Sequence, residues 1–79
     1  MWQFNLTVLS VFASMNSITG TEPNAQVNIA GLGWRRIASG PPESVVNMLM
    51  VLSFAATHGR TITAFINADG RISNVQLTI

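Results

Sequence analysis

Residues 41–59, PPESVVNMLMVLSFAATHG, are the one segment with helical periodicity, and strand-like segments lie on both sides of it. Gly40 is the expected N-cap, Pro41 and Pro42 suit a first turn whose N–H groups have no intrahelical partner, and Glu43 favours the positive end of the helix dipole. Gly59 fits a left-handed C-cap with His58 near the negative end. At about 100° per residue, Val45, Met48, Leu49, Leu52, Ala55 and Ala56 fall on one broad face, suited to packing on a sheet. The opposite arc carries Glu43, Ser44, Asn47, Ser53, Thr57 and His58, but Val46, Met50, Val51 and Phe54 are interspersed among them. A helix apolar on nearly all sides is usually covered on more than one of them. This one is too short for a bilayer, which needs about 20 apolar residues. The expected second cover is another subunit, with Val46, Met50, Val51 and Phe54 at the oligomer interface.

Composition points the same way. Seventy-nine residues make one domain, and at that size burial alone leaves stability marginal. No cysteine is present, which removes disulfide staples, thiolate chemistry and zinc–cysteine sites. Hydrophobic residues make up 48% of the chain and charged ones 9%, so much of the surface must be weakly polar. The net charge of +1 comes from four arginines against three acids. Nucleic-acid binding calls for a denser cationic footprint than that.

Before the helix, Trp2 to Ser14 alternates as a strand: Trp2, Phe4, Leu6 and Val8 take one face, and after Val8 the apolar positions switch to Leu9, Val11 and Ala13. Such a phase change implies a bulge or a strand coiling around a barrel. The stretch lacks the basic start of a signal peptide, so if the protein is secreted its leader is expected to have been removed. Asn16 to Asn24 reads as a polar loop, and Val27 and Ile29 restart the alternation. Gly31-Leu32-Gly33 lacks the third glycine and following helix of a dinucleotide site and is read as a bend between strands. Trp34-Arg35-Arg36-Ile37 continues as a third strand, with Trp34 and Arg36 on one face and Arg35 and Ile37 on the other.

After the helix, Thr61 to Ile66 is a β-branched and aromatic strand, Asn67-Ala68-Asp69-Gly70 a hairpin turn with Gly70 at positive φ, and Arg71 to Ile79 the last strand. Ile72 is out of phase with Val75, Leu77 and Ile79, which places an irregularity near Ser73. The order β-β-β-α-β-β in a β-rich α+β chain is that of a five-stranded OB-fold-like barrel, with a curved antiparallel sheet carrying the helix on one face as the alternative.

With that order in place, the helix end and following strand, SFAATHGRTITAFI (residues 53–66), resemble the small B subunits of bacterial AB toxins, in the subtilase-cytotoxin and pertussis-like branch. The resemblance extends over most of the chain as element order and compact length. It implies a homopentameric ring of OB-fold subunits with helices around a central pore, a catalytic A subunit as partner, a cell-surface glycan as ligand, and secretion. The chain departs from the family in having no cysteine pair, no tyrosine and only two tryptophans. No sugar-binding motif of the family is matched, so no ligand residue is carried over.

The residues themselves offer little catalysis. His58 is the only histidine, at a helix end where it complements the dipole, and it has no partners at metal-ligand spacing. Glu22, Glu43 and Asp69 each have a local role in a loop, a helix start and a turn, so no carboxylate pair is expected. We therefore expect no enzyme, no cofactor and no metal. The cluster Trp34, Arg35 and Arg36 can stack a sugar or base and hold an anionic group; equally, it fits a core aromatic beside two solvated or interface arginines. Asn16, Ser17 and Asn67 add amides and hydroxyls suited to sugars, although turn chemistry accounts for them too. The expected function is a ring-forming, non-catalytic glycan-binding subunit. The alternatives are an OB-fold module for single-stranded nucleic acid and an assembly protein whose oligomer is its function.

Overall fold

The computed structural model describes residues 1–14, 24–38 and 40–78, the side chains of Ser14, Asn24 and Pro42 excepted. Five strands and one helix follow in the order β1 (Trp2–Ser14), β2 (Asn24–Ile29), β3 (Gly33–Arg36), α1 (Pro42–His58), β4 (Thr61–Ile66) and β5 (Ile72–Leu77). The strands form one antiparallel sheet in the order β3-β2-β1-β4-β5, with α1 laid mainly against β1 and β5.

The long central strand explains this layout. The first half of β1 pairs with β4, from Trp2↔Phe65 to Thr7↔Thr61, and its second half pairs with β2, from Val8↔Ile29 to Ser14↔Asn24. The hand-over occurs through two irregularities. One falls between Val8 and Ser10, where the apolar phase switches in the sequence. The other falls between Gln3 and Leu6, where Asn5 takes φ 55°, a left-handed conformation that asparagine tolerates better than most residues. The second bulge corrects the expectation that Trp2 and Phe4 share a half-buried face with Leu6 and Val8. Gln3 instead stands opposite Ala64 on the core side, Phe4 is 67% exposed, and the Trp2 ring packs edge-on against Phe65 at 5.3 Å on the outside.

The hairpin turns follow their glycines. Leu32 N–H donates to Ile29 O at 3.0 Å across a turn in which Gly31 has φ 84°. The β4–β5 turn closes with Gly70 N–H to Asn67 O at 2.9 Å and Asn67 N–H to Arg71 O at 2.8 Å. This three-residue loop has Gly70 in the left-handed region at φ 87°, as such hairpins require. The expected irregularity near Ser73 is present: Phe65 pairs with Asn74 but Ile66 with Ile72.

The helix is capped otherwise than expected at its start. Pro41 is the N-cap, extended at φ −56° and ψ 141°, and Pro42 opens the helix. Proline at N1 loses no bond and disfavours helical geometry in the preceding residue, which moves the boundary one place on from Gly40. At the far end Gly59 is left-handed at φ 64°, and Arg60 N–H donates to Ala55 O at 2.9 Å, closing the last turn. Val45, Leu52 and Ala55 of α1 are buried with Val8, Val27, Ile29, Ile62 and Ile72 of the sheet, and Met48, Leu49 and Ala56 pack at the margin of that core.

The expectation of a five-stranded OB-fold-like barrel is met in part: the five-stranded sheet and its helix are present, but the sheet does not close into a barrel. Among the described residues the two edges meet at one parallel bridge, Ile37↔Ile72, where Ala38 N–H donates to Ile72 O at 2.8 Å. Two features keep the seam open. β3 has only four residues with which to pair. Arg35 also stands opposite Val27, hence on the core side of this edge strand, and a guanidinium cannot be enclosed there without a large desolvation cost.

Candidate binding and assembly surfaces

Register divides the Trp34-Arg35-Arg36 cluster between the two sides of the sheet. Trp34 pairs with Asn28 and Arg36 with Gln26, and cross-strand partners share a face, so both lie on the outer side. Trp34 is thus not a core aromatic. At 51% exposure it faces Phe12, itself 46% exposed, across a shallow cleft of about 370 Å³ with Gln26 between them. The cleft has two aromatic walls and an amide floor. It can stack a flat apolar face while bonding a hydroxyl beside it.

Arg35 points the other way. Its side chain crosses the open seam toward the β4–β5 turn, where Nη1 comes within 2.8 Å of the position a Cβ on Gly70 would occupy. It lines a second cavity of about 440 Å³ with Gln3, Leu32, Ile66, Asn67 and Ala68, closed at one side by Met1. Asn67 was expected to offer its amide to a sugar from the hairpin turn. Its Oδ1 instead accepts from Ser73 Oγ at 2.9 Å, which fixes the amide at the cavity wall. Asn16 and Ser17 lie outside the described residues.

The helix carries the third surface. Val46, Met50 and Phe54 are 53, 66 and 47% exposed and form a single i, i+4 row that ends in His58. The Phe54 and His58 rings stack at 4.0 Å, and His58 Nδ1 lies 3.0 Å from Phe54 O, so that bond uses the tautomer protonated at Nδ1. Leu49, Ser53 and Thr57 form the neighbouring row, and between the rows runs an apolar groove of about 450 Å³. Val51, expected at the interface as well, is half-buried and stands outside this groove.

Sequence reading missed Gln3, Gln26 and Phe12 as wall residues. Phe12 had a signal in its aromatic character at a polar phase of β1, but the two glutamines read only as alternating strand positions. Among the described residues no group of three or more His, Asp or Glu side chains converges to hold a metal. No described helix is long and apolar enough to cross a membrane. Comparison with protein-family models, curated proteins and solved structures found no match.

Proposed function

We propose that this chain is a non-catalytic, self-assembling subunit that binds a glycan in the cleft between Trp34 and Phe12. The carrying observation is that cleft: two half-exposed aromatic rings flank the Gln26 amide on a solvent-facing sheet. Two exposed rings beside an amide suit sugars, whose C–H faces stack while their hydroxyls hydrogen-bond. The low positive charge disfavours a nucleic-acid ligand at the same rings.

Assembly rests on α1. An exposed row of valine, methionine and phenylalanine beside a groove suits helix-to-helix packing between copies. Our reading is a ring, a homopentamer in the manner of the toxin B subunits resembled, with α1 toward the centre and a seat for a catalytic A subunit. The finer fold assignment belongs to the same proposal: we read the sheet as an OB-like barrel open along one seam. The parallel bridge Ile37↔Ile72 supports this, since it joins the strands that a closed barrel in the order β1-β2-β3-β5-β4 would pair.

A glycan array probed with the purified protein and with Trp34→Ala tests the ligand. We expect the intact chain to select a small set of glycans and the variant to lose them while its circular dichroism spectrum is kept. Failure of the intact chain to bind any glycan on a broad array would overturn the reading.

A further inference from the structure

We propose that the cavity between β3 and the β4–β5 turn is a binding site for a small oxyanion, a carboxylate or phosphate group held against the Arg35 guanidinium. This site lies on the opposite side of β3 from the Trp34 cleft and stands or falls independently of the glycan reading. Three observations carry it.

The first is an unanswered cation. Arg35 Nε is shut off from solvent and has no hydrogen-bond acceptor, and among the described residues no ion pair or hydrogen bond engages this side chain. Nε itself does not open on the cavity, so an oxyanion there would be met by the guanidinium tip, which has no acceptor among the described residues. The one acid of the nearby turn is already committed: Asp69 Oδ1 accepts from Arg71 N–H at 3.0 Å, and its Oδ2 lies 3.9 Å from Arg71 Nε.

The second is the company Arg35 keeps. Gln3 and Asn67 bring side-chain amides to the same cavity. Ser73 Oγ lies 2.9 Å from Asn67 Oδ1 and 3.1 Å from Asn74 Oδ1, a contact that holds the Asn67 amide at the cavity wall. Guanidinium and amide groups facing one space, with no carboxylate among its described walls, suit an oxyanion, which accepts from several donors at once.

The third is shape. A cavity of about 440 Å³ falls within the usual span of small-ligand sites, and Leu32, Ile66 and Ala68 give it apolar walls that lower the local dielectric and strengthen the charge contact. A side chain at Gly70 would meet the Arg35 tip.

The test is an NMR titration of the intact chain that follows the Arg35 Nε–H resonance and the Asn67 and Gly70 amides. Sodium acetate, inorganic phosphate and sodium chloride are the titrants, at matched ionic strength. We expect saturable shifts with acetate, phosphate or both, the pair distinguishing a carboxylate from a phosphate preference, and none with chloride. Arg35→Gln should weaken the response about tenfold or more, Gln3→Ala more mildly, and Arg60→Gln, at an exposed arginine outside the cavity, should leave it unchanged. Shifts equal in all three salts, or no saturation with either oxyanion, overturn the proposal. If Arg35→Gln does not fold, the Nε–H titration of the intact chain decides alone.

Discussion

Arg35 Nη1 lies 2.8 Å from where a Cβ on Gly70 would stand, so edge strand β3 and the β4–β5 turn meet through one guanidinium and one bare Cα. Gly70→Ala has two consequences that can be separated. The left-handed φ of 87° costs an alanine about 1–2 kcal/mol, whereas the clash itself is cheap because the arginine tip can swing aside. Gly31 has a similar φ of 84° and nothing within 4 Å of its would-be Cβ, so Gly31→Ala should lose a similar stability in urea denaturation. Only Gly70→Ala should blunt the rise in melting temperature produced by acetate or phosphate. Equal blunting by both variants would remove Arg35 from the anion response.

The groove on α1 leads to a sharp contrast within one turn. Met50→Glu or Phe54→Glu places a charge in the exposed apolar row, and light scattering should show the assembly reduced to monomers. Ser53→Glu lies in the polar-interrupted neighbouring row and should leave most of the assembly intact. A monodisperse monomer from the unmodified chain would remove the assembly reading.

Leu52 faces the core from the same helix and is fully buried. Leu52→Ala should cost about 2–5 kcal/mol through lost transfer energy and the cavity left behind. A domain of this size has roughly 4–12 kcal/mol in total, so the variant should lose a large fraction of its stability, read as a lower urea midpoint by circular dichroism. Ser53→Ala, one residue on and exposed, should change the midpoint by less than about 0.5 kcal/mol.

The open seam has its own test in hydrogen exchange. The Ala38 N–H is held by the single bridge to Ile72, whereas the amides inside the β1–β2 and β4–β5 ladders have paired neighbours on both sides. Ala38 should therefore exchange by local opening, about 100-fold or more faster than the most protected ladder amides. Protection equal to theirs would mean that β3 and β5 close in solution.

Much of the fold was legible because its signals are local. The glycines at 31, 59 and 70 marked turns and a cap through their need for positive φ, and the phase change after Val8 marked one bulge of β1. The inward face of α1 followed from its period alone. The bulge at Asn5 escaped, because the alternation Trp2-Phe4-Leu6 continues through it unbroken. Hydrophobicity cannot reveal that the chain has slipped by one residue, and with it the side of the sheet that Trp2 and Phe4 occupy. For the candidate site, the sequence selected Trp34, Arg35 and Arg36 and their alternation already set Arg35 on the other face, but it did not show what each face meets.

By itself, then, the sequence determined the number and order of the strands, the single helix and its two apolar sides, and the scarcity of catalytic groups. These follow from periodicity, turn chemistry and composition, which act over a few residues. Tertiary structure alone decided which side chains meet. It set Phe12 beside Trp34 on one side of β3 and brought Gln3, Arg35 and Asn67 to one cavity on the other. The physical reason is register: Gln3 and Asn67 are 64 residues apart along the chain, and only the pairing of β1 with β4, slipped by the bulge at Asn5, carries them to the same wall.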